Sequence, residues 1–123
     1  MSTISDNELS VQSTTEVVAD KEVQVLHCRG DVDTKTFDSF QAAMLQPLEQ
    51  QHCHIIVDMS GVTYIHSTGY GLLLTVQRQA QAAGGKLVVA GFSSKVGSIF
   101  QLLGFDRVIP SFPTVEEALQ SFR

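Results

Sequence analysis

Residues 55–74, IIVDMSGVTYIHSTGYGLLL, join an apolar run to a helical pattern through a short polar stretch. The apolar residues 55–57 predict a buried strand, and the pattern from Ser67 onward predicts a helix. The first N–H groups of a helix have no partner within it and favour an anion. Ser67 and Thr68 therefore place two hydroxyls where a serine could cap the helix or, if modified, carry a phosphate.

The rest of the chain alternates predicted strands with predicted helices. Two strands over residues 11–19 and 22–29 are predicted to pair as an antiparallel hairpin. Asp33 or Thr34 is predicted to cap the next helix, which runs to near Pro47. The later predicted elements are a strand over 53–59, a helix over 67–83, a strand over 87–90, a helix from a Ser93 or Ser94 cap to 103, a short strand over 108–109, and a helix from a Thr114 cap to near 122.

This order predicts the α/β class, because strands that alternate with helices pair in parallel through helical crossovers. We expect a mixed sheet of about five strands and about four helices, with the helices packed on a single layer of sheet. Residues 11–123 form the one predicted domain, and residues 1–10 are predicted to be a flexible, frayed N-terminus.

Composition excludes several functional classes. The chain has 123 residues, a net charge of −5 and 43% hydrophobic residues, which is typical of a globular protein. An acidic chain lacks the basic patches on which nucleic-acid binding depends. The apolar runs are too short to span a bilayer, and the first residues do not resemble a signal peptide, so no membrane insertion is expected and a cytoplasmic location is predicted.

Neither catalysis nor a metal or other cofactor is expected. The chain has no Gly-x-Ser-x-Gly elbow and no Walker-type loop, and His66 is a chain neighbour of Ser67 rather than a base aimed at it. Alternation along a strand places His52 and His54 on one face and Cys53 on the other, so the three do not converge on a metal. Cys28 and Cys53 are expected to be reduced thiols.

Polar residues follow several of the predicted strands. Because the carboxyl ends of parallel strands meet at one edge of a sheet, we expect these residues to lie near one another. They are Asp31, Asp33, Asp58, Ser60, Ser67, Thr68 and residues 92–94. Asp31 and Asp33 have two interpretations of equal weight, as solvated turn and cap residues or as part of a partner surface.

The stretch DMSGVTYI followed by HSTGYGL resembles the signature of the STAS domain family, and more narrowly that of bacterial anti-sigma factor antagonists. The resemblance covers the chain from about Val11 onward. It implies a protein that binds an anti-sigma factor serine kinase and is inactivated by phosphorylation of Ser67, with Thr68 as the less favoured phosphorylation site. A PP2C-type phosphatase would remove the phosphate and restore the active form. The family usually has aspartate where this chain has His66, which is either a loop residue or a titrating neighbour of the phosphate.

The partner-binding residues that follow from these two arguments are Asp31, Asp33, Asp58, Ser60, His66, Thr68, Gly69, Tyr70, Gly71 and Leu73. An alternative implied by the same resemblance is a STAS subunit of a lipid-transport ATPase complex, which docks without phosphorylation. A ligand-binding module is a third possibility, for which the sequence shows no distinct pocket signature.

Overall fold

The predicted N-terminal hairpin forms one half of a mixed sheet. In the computed structural model, which describes residues 2–5 and 9–123, strand β2 (Leu9–Val18) pairs antiparallel with β3 (Lys21–Val32). Ala19 and Asp20 form the two-residue turn, both with positive φ, as the twist of a tight hairpin requires. This part of the prediction is confirmed, although β3 continues three residues beyond the predicted end at Arg29.

Strand structure begins before residue 11, where the first strand was predicted to start. Strand β1 (Ser2–Ser5) pairs antiparallel with β2, and β2 already begins at Leu9, which is buried. The short polar sequence of β1 carries no alternating apolar pattern, so only its pairing with β2 makes it a strand. Residues 1 and 6–8 of the predicted N-terminal segment lie outside the described residues.

Parallel strands form the second half of the sheet. They are β4 (His54–Ile65), β5 (Lys86–Ala90) and β6 (Ser111–Phe112), and the described strands lie in the order β1-β2-β3-β4-β5-β6. Helices α1 (Phe37–Glu49), α2 (Ser67–Ala82) and α3 (Ser94–Leu102) are the crossovers, and α4 (Val115–Gln120) follows β6. The predicted mixed sheet with four helices is confirmed, with β1 as an additional strand.

Two hydrophobic clusters cover the two faces of this sheet. The larger joins α1, α2 and α3 to the sheet through residues such as Met44, Leu73 and Phe100. The smaller packs Ala118 and Phe122, at the C-terminal end, on Val25 and neighbouring strand residues. The crossovers from β3 to β6 are right-handed and proceed in one direction across the sheet, so α1, α2 and α3 lie on one face. Among the described helices, only α4 covers the other face.

Strand β4 is longer than predicted. The strand was predicted to end at residue 59, but it continues to Ile65 with two register shifts against β3. Gly61 permits this, because a Cβ there would lie 2.8 Å from the carbonyl oxygen of Cys28. The chain therefore bulges and stays paired rather than turning away.

The other difference lies after α3. Residues 108–109 were predicted as the last strand, but a 3₁₀ helix (Phe105–Arg107) precedes them and the strand is β6. Gly104 has φ of 82°, and the N–H groups of Val108 and Ile109 donate to the Phe105 carbonyl, which closes a turn there. The predicted caps Ser93 and Thr114 are confirmed, since their hydroxyls accept from Val96 and Glu117 N–H.

Candidate functional site

The start of α2 forms an exposed corner beside the start of α1. The N–H of His66 donates to the Val32 carbonyl at 2.7 Å, which ties the corner to the end of β3. Gly69 lies so close to this strand that a Cβ would be 3.1 Å from Val32 Cγ1 and 2.8 Å from Ile65 Cγ1. We call the exposed and partly exposed residues at this place the Ser67 corner: Asp31, Asp33, Thr63, His66, Ser67 and Thr68.

His66, rather than a serine, caps α2. Its Nδ1 accepts from the Thr68 N–H at 3.3 Å and lies 3.0 Å from Thr68 Oγ1. The His66 backbone is extended, with φ of −70° and ψ of 153°, as an N-cap residue requires. An imidazole nitrogen that accepts from a backbone N–H uses its lone pair, so this cap belongs to the neutral ring with its proton on Nε2.

The two hydroxyls of the corner differ in their surroundings. Thr68 Oγ1 is paired with the imidazole of His66. The Ser67 side chain is exposed, and within residues 9–123 no hydrogen bond to its hydroxyl is present. The His66 imidazole faces Thr68 and is not placed to activate Ser67, so among the described residues the Ser67 hydroxyl is left exposed and unpaired.

Asp31 and Asp33 lie at the corner, and the carboxylates of both already accept hydrogen bonds within the protein. Asp31 Oδ1 accepts from the Thr63 hydroxyl at 2.6 Å, across the β3–β4 pair. Asp33 Oδ1 accepts from the N–H groups of Lys35 and Thr36. Asp33 thus caps the turn before α1, while the helix itself begins at Phe37 after Thr36, which provides no side-chain cap.

Three of the predicted partner contacts are wrong. Gly69, Tyr70 and Leu73 are buried, and Tyr70 and Leu73 are 1% and 0% exposed. The Tyr70 ring stacks on Phe105, and its hydroxyl donates to the Val96 carbonyl. Burial raises the pKa of Tyr70 to about 12, with Tyr64 adding a smaller effect in the same direction.

The helical period explains this error and shows what was missed. Positions three and four residues apart share one face, and the face with Tyr70 and Leu73 is the one that packs on the sheet. The opposite face carries Gly71, which is partly exposed, with Thr75 and Arg78, which are exposed. Counting the period forward from Thr68 would have selected these residues as the surface that continues from the corner.

Asp58 and Ser60 do not lie in the Ser67 corner. β4 stays extended from Asp58 to Ile65, an advance of roughly 20 Å at about 3.3 Å per residue. Asp58 and Ser60 instead lie beside Gly91, whose added Cβ would be 3.0 Å from Ser60 Cβ. The predicted single cluster is therefore two clusters, and the long β4 is the reason.

The second cluster is a hydrogen-bonded chain across three strands. His27 lies between Thr14 Oγ1, 3.2 Å from its Nε2, and Asp58 Oδ2, 2.9 Å from its Nδ1. Asp58 Oδ1 accepts from both the N–H and the hydroxyl of Ser60. Burial raises the pKa of Asp58, but the hydrogen bonds from His27 and Ser60 outweigh it and hold the pKa below its usual range.

The cysteine and histidine residues considered for a metal are dispersed. Cys28 is buried, and burial, together with the charge of Asp58, raises the pKa of its thiol. The ring of His54 packs edge-on against Phe122, and burial followed by Lys21 and Lys86 lowers its pKa. Within the described residues, no group of three or more His, Cys, Asp or Glu side chains is placed to hold a metal ion.

No helix in the part of the chain that the structure describes is both long and apolar enough to cross a membrane. This observation is independent of the Ser67 corner and bears only on the helices.

Several known proteins share this fold. The chain is similar to BtrV of Bordetella bronchiseptica, with 23% identity over 95 residues that cover 77% of this chain and 82% of BtrV. It is 21% identical over 98 residues to the anti-sigma F factor antagonist of Paenibacillus polymyxa, covering 79% and 84% of the two chains. The structure of unphosphorylated SpoIIAA, an anti-sigma factor antagonist, superposes with a TM-score of 0.71 at 24% identity, covering 91% of this chain and 96% of SpoIIAA.

The structure of phosphorylated SpoIIAA, a Bacillus cell fate determinant, superposes with a TM-score of 0.65 at 24% identity. The match covers 91% of this chain and 100% of the SpoIIAA chain. The family model for the STAS domain matches residues 14–118, which span β2 to α4 and include both clusters. The chain therefore belongs to the STAS domain family.

Proposed function

We propose that this protein is an anti-sigma factor antagonist whose binding is switched by phosphorylation of Ser67. With Ser67 unmodified, the Ser67 corner and the exposed face of α2 dock on an anti-sigma factor that is also a serine kinase. The kinase transfers the γ-phosphoryl group of ATP to Ser67 Oγ, the hydroxyl proton leaves, and ADP is released. A PP2C-type phosphatase hydrolyses the phosphoserine and restores the docking form.

The observation that carries this proposal is the open Ser67 hydroxyl. It stands at the first residue of a helix, exposed and without a hydrogen bond to the described residues, whereas Thr68 is held by His66. A kinase would therefore meet Ser67 as the accessible acceptor of the pair. Names of similar proteins add support, since one relative is an anti-sigma F factor antagonist and SpoIIAA is known in unphosphorylated and phosphorylated forms.

Electrostatics explains how the phosphate would act. A phosphoserine adds about −1.5 to −2 charges at pH 7, beside the carboxylates of Asp31 and Asp33. Burying such a dianion in an interface requires removing its hydration, which opposes docking. The N-terminus of α2 would stabilise the phosphate in the free protein and so favour release further.

The test uses the purified chain as bait in lysate of the source cells. Ser67→Ala and Ser67→Asp are the paired baits, and phosphate incorporation from ATP into the wild type is located by mass spectrometry, with Thr68→Ala as the matched control. We expect phosphate on Ser67 in the wild type and in Thr68→Ala, and an ATP-binding kinase retained by Ser67→Ala but not by Ser67→Asp.

Two results would contradict the proposal. Equal retention of the kinase by both baits would show that charge at Ser67 does not control docking. Retention of the same transporter ATPase by both, with no phosphate on Ser67, would instead identify the chain as a docking subunit of a lipid-transport complex.

A further inference from the structure

The face of the sheet that carries α4 changes from apolar to polar along the strands. In β3, Val23 and Val25 are buried while Arg29 is exposed. In β4, buried Ile56 is followed by Asp58 and then by exposed Ser60. Because α4 has only six residues, it covers the apolar half of this face and leaves the polar half open.

The open half is a recess rather than a flat surface. A cavity of about 530 Å³ lies over residues of the three neighbouring strands β2, β3 and β4. Its lining residues are Ser10, Gln12, His27, Cys28, Arg29, Asp58, Ser60 and Gly61. A second cavity of about 390 Å³ shares His27, Asp58 and Ser60 with it and has Gly91 and residues 113–116 as its other wall. Volumes of this size are typical of sites for small molecules.

Strand pairing arranges the lining side chains as a regular grid. Ser10 lies opposite Arg29, and Gln12 lies opposite His27, in the antiparallel pairing of β2 with β3. Asp58 lies beside His27 in the parallel pairing of β3 with β4. Polar groups on paired strands are about 5 Å apart, a spacing that lets one small ligand contact two strands at once.

The charges in the recess are not equivalent. The Asp58 carboxylate accepts from His27 Nδ1, the Ser60 N–H and the Ser60 hydroxyl, so most of its acceptor capacity is used inside the protein. Arg29, by contrast, is exposed and forms no salt bridge with any described residue. In the cavity beside β2 the Arg29 side chain is therefore available to a ligand, whereas the Asp58 carboxylate is largely satisfied within the protein.

We propose that this recess binds the phosphate group of a small polar molecule, at a site separate from the Ser67 corner. The Arg29 guanidinium provides the forked donor that matches phosphate oxygens, with the Ser10 hydroxyl across the strand pair. The two nitrogens of the His27 imidazole face Thr14 and Asp58, so Arg29 and Ser10 are the groups left to donate to the anion. The cavity leaves room for the body of the molecule towards Gly91 and α4.

The test is a titration of the ¹⁵N-labelled full chain, followed by amide chemical shifts. The probes are inorganic phosphate and glycerol 3-phosphate, each against sodium chloride at matched ionic strength. We expect saturable shifts at Ser10, at residues 27–29 and at Ser60. Arg29→Gln is expected to weaken binding by about tenfold, the loss typical of a charged hydrogen bond. Arg107→Gln, at an exposed arginine in the 3₁₀ helix that packs through Phe105 on the opposite face of the sheet, is the matched control and should leave phosphate binding unchanged.

The two probes distinguish free phosphate from an ester. Saturation by both at similar concentrations assigns the phosphate group alone, and tighter binding of glycerol 3-phosphate assigns an ester whose body fills the recess. Shifts that only follow ionic strength, shifts confined to the Ser67 corner, or equal binding by Arg29→Gln in a folded variant would each overturn the proposal. None of these outcomes depends on whether Ser67 is phosphorylated.

Discussion

The two glycines of α2 are expected to respond in opposite ways to the same substitution. Alanine in place of glycine inside a helix stabilises by about 0.5–1 kcal/mol, because the unfolded chain loses conformational freedom. At Gly71 an added Cβ meets no atom within 4 Å, so Gly71→Ala should gain this amount. At Gly69 the Cβ would lie 2.8 Å from Ile65 Cγ1 and 3.1 Å from Val32 Cγ1. Overpacking of a buried position costs about 1–3 kcal/mol, so Gly69→Ala should be the less stable variant by about that amount.

Urea denaturation followed by circular dichroism measures this difference directly. Single domains of this size usually unfold in two states, with slopes of about 1–3 kcal/mol per molar urea. The midpoint of Gly71→Ala should therefore lie about 1 M above that of Gly69→Ala, with the wild type between them or close to Gly69→Ala. Equal midpoints for the two variants would refute the reasoning, because they would show that the chain around Gly69 is not packed as the distances imply.

The same pair separates stability from docking. Gly71 lies on the partly exposed face of α2, next to the Ser67 corner, whereas Gly69 is buried. If the exposed face of α2 docks on a kinase as proposed above, Gly71→Ala should weaken that binding although it stabilises the fold, since the added methyl group would stand between the two surfaces. Unchanged affinity would place the docking surface elsewhere on the protein.

Three further predictions concern side chains with defined partners. The folded-state pKa of Asp58 lies below its unfolded value, so its stabilising effect is present above about pH 4 and is lost as pH falls through the folded pKa. Asp58→Asn should therefore have a lower urea midpoint than the wild type at pH 7, and its midpoint should fall less between pH 7 and pH 3. An equal fall of the midpoint in both proteins would contradict this. His66→Ala should cost about 0.5–2 kcal/mol through the lost cap, whereas His66→Asp, which keeps an acceptor, should lose much less in thermal unfolding; equal losses would show that the cap is not stabilising. Gln77→Leu should cost about 1–3 kcal/mol, because the buried Leu87 N–H loses its 2.6 Å acceptor, while exposed Gln79→Leu should change stability by less than about 0.5 kcal/mol; similar effects from both would be inconsistent with the buried bridge.

Local patterns were sufficient to predict most of the architecture. The apolar run before Asp58, the helical period after Ser67 and the caps at Ser93 and Thr114 depend on neighbouring residues, and each is present as predicted. The errors fall where local preference is weak. β1 is a strand only because β2 offers it a partner, and the residues after Asp58 have turn character that pairing with β3 overrides.

The sequence by itself determined that the chain is an α/β domain with a serine–threonine pair at a helix start, because periodicity and capping are properties of short segments. The tertiary structure alone decided which residues share a surface. Packing of α2 on the sheet buried Tyr70 and Leu73, and the extended β4 carried Asp58 and Ser60 away from Ser67. The hydrogen-bonded chain from Thr14 through His27 to Asp58 joins three strands, and only their register brings those residues together.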